Sequence, residues 1–224
     1  MDPVLGILLL WLAFSATHVG LSSTAVRPRL VAALGSVPFL ALYSAIALVI
    51  FVPLIRFYFV TKHAGPALWV LPRGPALKWT VYAGMGVAFV LLASSFLQPS
   101  PAGMAPASLT PHGVQRITRH PLVMAFVVFA LFHLLPNGWA GDVAFFGGFA
   151  AFALAAAAHQ DHRKIQTGVP AGYERFVANT PFFPFTGRET LKGLRELSPI
   201  AVIVGLAAAT AIRFFHSTWF GGSP

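Results

Sequence analysis

Between Asp2 and Arg27 the chain carries no formal charge, and nearly every intervening residue is apolar. A run of that length can cross a bilayer as an α-helix, which takes roughly 20 residues for a hydrocarbon core of ~30 Å. The pattern recurs at about Ser36–Val60, Lys78–Leu97, Pro121–Leu135, Asp142–His159 and Ser198–Phe215. Hydrocarbon offers no partner to a backbone amide, so segments like these must satisfy their own N–H and C=O groups, as helices do. Composition agrees: 57% of the residues are hydrophobic and 9% charged, against roughly 25% charged in a soluble domain. The expected fold is all-α, a polytopic membrane helix bundle of about six transmembrane helices plus a short interfacial helix, in one domain spanning residues 1–224.

Punctuation between the runs sets the elements. Pro3 suits the first position of a helix, and Arg27-Pro28-Arg29 is expected to close that helix, which ends at Leu21 or continues to Val26. With no basic residue ahead of the apolar run, this segment reads as a retained helix and not a signal peptide. Pro53 predicts a kink in the second span, with Arg56 reaching for the interface. Thr61–Lys78, interrupted by Gly65-Pro66, Pro72 and Gly74-Pro75, reads as loop, and Gln98–Pro111 as a Pro/Ser/Ala-rich connection. Pro136-Asn137-Gly138 predicts a tight turn between two antiparallel helices. Gly147, Gly148, Ala151 and Ala155 allow close helix packing in lipid. Asp161–Leu197 is the longest polar segment, and Leu191, Leu194 and Leu197 predict the interfacial helix over Glu189–Leu197.

The formal net charge is +9. No basic run with interleaved aromatics tracks a nucleic-acid backbone, so the excess cations point to membrane lipids as partners. With six spans, ten of the 15 lysines and arginines fall on one face, from Arg27 and Arg29 through Arg116 and Arg119 to Arg195. The positive-inside rule makes that face cytoplasmic. The expected location is a bacterial inner membrane with both termini periplasmic. The chain has no cysteine, which excludes disulfides, thiolate nucleophiles and thiolate-held metals.

Ionisable groups at the mouth or inside the body of a span are functional candidates. Arg116, Arg119 and His120 stand against Pro121 at the start of the fourth span, a grouping suited to a carboxylate, propionate or phosphate. His18 and His133 lie inside apolar runs, where an imidazole needs a partner. Either each bonds a neighbouring carbonyl or hydroxyl, or the two hold a buried metal group. His120 and His133 are too far apart along one helix, ~20 Å, to share an ion. His18 and His133 match in depth to ~6 Å if the first helix continues to Val26, and miss by more than two turns if it ends at Leu21. His63, His112, His159, His162 and His216 read as loop or helix-end residues.

At F-S-A-T-H (14–18), G-V-Q-R-I-T-R-H-P (113–121), H-L-L-P-N-G (133–138) and Asp161-His162-Arg163 followed by Gly168 and Tyr173, the chain resembles the NnrU family and the related 15-cis-zeta-carotene isomerases. The resemblance implies a heme b ligated by His18 and His133. It implies a redox-linked role in nitrite or nitric oxide metabolism, or cis–trans isomerisation of a small lipid-soluble polyene, with a homo-oligomer or a denitrification complex as possible partner. The isomerases carry a cysteine one turn before the second histidine, where this chain has Ala130, so no cysteine ligand switch is expected. The R-H-P mouth, Tyr173-Glu174 and the Pro-flanked Phe182-Phe183 are also similar to membrane methyltransferases of the isoprenylcysteine type. That similarity implies S-adenosylmethionine held near Arg119, His120, Tyr173 and Glu174. A third expectation is a cofactor-free assembly factor whose intramembrane histidines bridge helices.

Overall fold

A computed structural model describes residues 1–103 and 107–221. The chain is helical, with no strand among the described residues. Its elements are α1 (Pro3–Ser22), α2 (Arg27–Leu34), α3 (Ser36–Val60), α4 (Pro75–Leu97), α5 (Val114–Ile117), α6 (Pro121–Leu134), α7 (Ala140–Thr167), α8 (Tyr173–Ala178), α9 (Thr190–Arg195) and α10 (Pro199–Phe220). Five of them, α1, α3, α4, α7 and α10, are long and apolar enough to cross a membrane. The sixth apolar helix, α6, has 14 residues, or ~21 Å of rise, and is shorter than a bilayer core. Leu12, Val49 and Ile203 are exposed along these helices, the pattern of a surface solvated by lipid. The chain is a multi-pass helical membrane protein.

The helix starts follow local chemistry. Asp2 accepts the Leu5 N–H at 2.9 Å and caps α1, with Pro3 in the first turn. Ser198 caps α10 in the same way. Several boundaries differ from the sequence reading: the third span opens at Pro75, inside the stretch read as loop, and the last runs on from Phe215 to Phe220. The first helix stops at Ser22, one residue past the shorter of the two expected ends, but Arg27-Pro28 opens a separate short helix instead of closing the first. Proline lacks the N–H that a first turn leaves unused, so it starts a helix as readily as it stops one. Gly35, at φ 87°, then breaks α2 from α3. The helix expected to end at His159 continues for two more turns to Thr167, where Gly168 caps it in the left-handed region. Its charged end projects beyond the apolar part. The short helix expected over Glu189–Leu197 forms as Thr190–Arg195, with Leu191 and Leu194 exposed. Of the Gln98–Pro111 connection, residues 104–106 lie outside the described residues.

Close packing uses the small residues. A Cβ on Gly148 would meet the Trp11 indole at 2.4 Å, and one on Gly205 would meet the Val90 backbone at 2.7 Å, so α1 and α10 seat directly on α7 and α4. Inside, Trp11 and Phe14 of α1, Phe51 of α3 and Phe145, Phe149 and Phe152 of α7 form a continuous aromatic core. Near its start α7 contains a π-helical turn, Val143–Gly147, which redirects backbone groups. The Phe145 carbonyl there accepts the Trp11 indole N–H at 3.1 Å. Helices α6 and α7 run antiparallel: His133 stacks on Phe146, Phe126 meets Phe149, and His120 reaches Asp161.

Candidate functional site

The R-H-P corner converges on one carboxylate. His120 Nε2 lies 2.9 Å from Asp161 Oδ1, and Arg119 Nε donates to Asp161 Oδ2 at 2.7 Å. The Tyr173 hydroxyl donates to Oδ1 as well. Arg119 also donates through Nη1 to the Thr180 carbonyl at 2.9 Å, and its guanidinium lies over the Phe182 ring. His120 and Tyr173 are almost wholly buried. Burial, reinforced by the hydrogen bond to Asp161, pushes the Tyr173 phenol well above its ordinary range, so it serves as a neutral donor. The cluster joins the start of α6, the projecting end of α7 and the α8 segment, and every charge in it has a partner.

Arg116 is equally occupied. It donates through Nε to Glu196 at 2.8 Å and is paired with Glu189. Glu196 also accepts the Gly113 N–H at 2.9 Å. The Gly113 amide, and then Arg116, hold the Glu196 carboxyl below the usual glutamate range. The arginines expected to bind an outside anion thus bind carboxylates of the chain itself. Of the residues expected around S-adenosylmethionine, Arg119, His120 and Tyr173 meet on Asp161. Glu174 is exposed beside them, on the rim of an open cleft of about 460 Å³ with Lys164, Gly168 and Arg175.

His18 and His133 are not brought together. His18 packs against Phe14, Tyr43 and Phe152, and His133 against Phe129 and Phe146. Phe152 and Phe146 are six residues apart on α7, or ~9 Å along its axis. The aromatic core of Trp11, Phe14, Phe149 and Phe152 fills the space alongside. This packing does not fit a heme held between both histidines. Taken alone, His133 has the chemistry of an axial ligand: Nδ1 donates to the Phe129 carbonyl at 2.9 Å, leaving the Nε2 lone pair free. Among the described residues no three His, Asp or Glu side chains gather as a metal site.

A second carboxylate cluster, which the sequence reading passed over, sits at the other end of the bundle. Asp142 is fully buried at the start of α7. It accepts the Tyr58 hydroxyl at 3.0 Å and lies 2.8 Å from His63 Nδ1. His63 is in the left-handed region, at φ 58°, and packs on Trp139. The available signal was Asp142 itself, one of only six acidic residues, placed at the edge of an apolar run where an unpaired carboxylate is costly.

Comparison with known proteins fits this architecture. The chain is 28% identical over 145 residues to the chloroplastic 15-cis-zeta-carotene isomerase of Arabidopsis thaliana, a stretch covering 63% of this chain and 38% of that protein. It therefore spans well under half of that relative's length. No solved structure gives a significant match. The family model described as NnrU protein matches residues 6–224, almost the full length, and the chain belongs to the NnrU family.

Proposed function

We propose that this membrane protein binds a lipid-soluble polyene and promotes its cis–trans isomerisation. The observation that carries this reading is a largely apolar cleft of about 310 Å³ running along α4, with Leu206 of α10 on its wall. Gly86, Val90, Leu91 and Leu206 line its length, and Phe185 and Leu194 close the end nearest α9. Its lining is apolar except for the hydroxyls of Tyr82 and Ser94, which suits a molecule that is mostly hydrocarbon, and its course along α4 lets a rod-shaped molecule lie within the bilayer. The similarity to a protein named as a carotene isomerase supports the same substrate class. The lining orients a chain of double bonds; it contains no acid–base pair. The Asp161 end, which carries most of the basic residues, faces the cytoplasm of a bacterial inner membrane in this reading.

The test uses purified protein in liposomes loaded with a 15-cis polyene, followed by chromatographic separation of isomers. Conversion that Gly86→Leu abolishes by filling the cleft is the expected result. Absence of both conversion and any shift of the polyene absorption on binding overturns the reading.

A second reading, heme b chemistry linked to a nitrogen oxide, rests on one observation, the free Nε2 of His133. It predicts a Soret band in heme-supplemented protein that disappears in His133→Ala and survives in His18→Ala. Loss of the band in both variants would restore the two-histidine arrangement, and its absence from the wild type removes the heme reading.

A further inference from the structure

The cleft along α4 contains two polar groups with nothing to bond. Tyr82 and Ser94 both line it, and the hydroxyl oxygen of each is buried with no hydrogen-bond partner among the described residues. A serine inside a helix ordinarily donates back to a carbonyl of the preceding turn. Ser95 does so, to the Leu92 carbonyl at 2.6 Å. Its neighbour Ser94 does not, although it is wholly buried. Unsatisfied buried polar atoms are uncommon, and each calls for an explanation. In a bilayer core the surroundings supply no water to relieve them.

The two positions belong to one surface. Tyr82, Gly86, Val90 and Ser94 recur at steps of four residues, which makes them a single ridge of α4, and all four line the cleft. Ser94 follows Tyr82 by twelve residues, or ~18 Å along the helix axis. Between them the trough is apolar, with Leu206 of α10 3.4 Å from where a Cβ on Gly86 would stand. Both ends are built. The Tyr82 ring meets Trp79 edge-on, centroids 5.7 Å apart, and the Arg213 guanidinium of α10 lies over it at 4.2 Å. At the Ser94 end, Phe185 closes the wall from a left-handed backbone position, φ 66°, with its amide bonded to the Ile117 carbonyl at 3.2 Å. That conformation is unfavourable for a residue with a side chain and persists where the surroundings impose it.

We infer that the ligand of this cleft is an oxygenated polyene, a hydrocarbon chain with a hydroxyl or carbonyl oxygen at each end. The inference rests on the reading of the cleft as the polyene site and narrows it. A pure hydrocarbon fills the trough and leaves both protein hydroxyls unpaired. An oxygen at each end satisfies them, since the Tyr82 and Ser94 hydroxyls can each donate to a carbonyl or exchange a hydrogen bond with a hydroxyl. Sites with buried polar groups discriminate against analogues that lack the matching group, because the protein's own partner is then left unsatisfied.

The experiment titrates the protein in liposomes with three linear conjugated polyenes of one chain length, about 18 Å. One carries a hydroxyl at each end, one a hydroxyl at a single end, and one only methyl ends. Binding is read from the shift of polyene absorption, per molecule partitioned into the bilayer. Affinity is expected to fall from the diol to the mono-alcohol to the hydrocarbon, each step roughly fivefold, the worth of one net hydrogen bond. Tyr82→Phe and Ser94→Ala each erase one step and leave the hydrocarbon affinity unchanged. Their ligand-free thermal midpoints hold or rise, because each removes an unpaired hydroxyl; a merely structural hydroxyl would lower them. Ser95→Ala, whose hydroxyl bonds within its own helix, keeps the wild-type order. Equal affinity of wild type for the three probes, or a preference untouched by both cleft variants, overturns the inference and leaves the cleft as a hydrocarbon site. Binding of none of the three removes the polyene reading itself and this inference with it.

Discussion

The two ends of the bundle solve one problem, a buried carboxylate, in different ways. Asp161 is met by a histidine, a tyrosine and a guanidinium. Asp142 is met by a histidine and a tyrosine alone. Arginine is charged at any attainable pH, so the Asp161 pair is compensated permanently. It also ties three segments distant in sequence. Asp142 has no guanidinium partner, and the His63 ring that meets it is half exposed. The difference marks the Asp161 end as the stronger fastening. That contrast can be broken by substitution.

The largest effect is expected at Asp161→Ala, which leaves Arg119 buried and unpaired and removes the acceptor of His120 and Tyr173. Breaking one side of a buried ion pair costs about 3–5 kcal/mol, readable as a lowered thermal midpoint in detergent. Asp142→Ala removes the acceptor of the Tyr58 hydroxyl and the partner of His63, with no guanidinium left stranded, and is expected to cost about 1–3 kcal/mol. If the two losses are equal, the guanidinium adds nothing and the contrast fails. Tyr173→Phe and Tyr58→Phe each remove one donor at about 1 kcal/mol, and denaturant titration of the pair shows whether the shared tyrosine contributes alike at both ends. The smallest effect is that of pH at Glu196. Its folded carboxyl titrates below its unfolded value. Its contribution is therefore present above the ordinary glutamate range and lost as pH falls through the lower folded value. Replacing Glu196 by Gln should flatten that acid limb of an unfolding profile; an unchanged limb assigns it to other groups.

Much of the architecture was legible because lipid leaves the backbone one option over a long apolar run. The spans at Ser36–Val60 and Pro121–Leu134 could be read almost to the residue. Prolines and charges misled where their meaning is two-sided. Pro28 starts α2, and the polar residues after His159 extend α7 instead of ending it, with Asp161 buried among them. The importance of Arg119 and His120 was visible in their position against Pro121. Their partner was not, because Asp161 lies 41 residues beyond His120 and no local pattern joins them. The His63–Asp142 contact spans 79 residues, and His63 in a loop carries no periodic signal. The separate levels of His18 and His133 come from which turn of α7 each helix packs against, Phe152 for His18 and Phe146 for His133, and long-range packing of that kind leaves no local pattern.

The central claim is that the R-H-P corner fastens the fold and does not itself bind or transform the substrate. The direct measurement is Asp161→Asn, compared with wild type for thermal stability and, at a temperature where both remain folded, for polyene binding in liposomes. A clear loss of stability with binding per folded molecule unchanged is the predicted result. Wild-type stability with binding abolished would contradict the account and make Asp161 part of the reacting site.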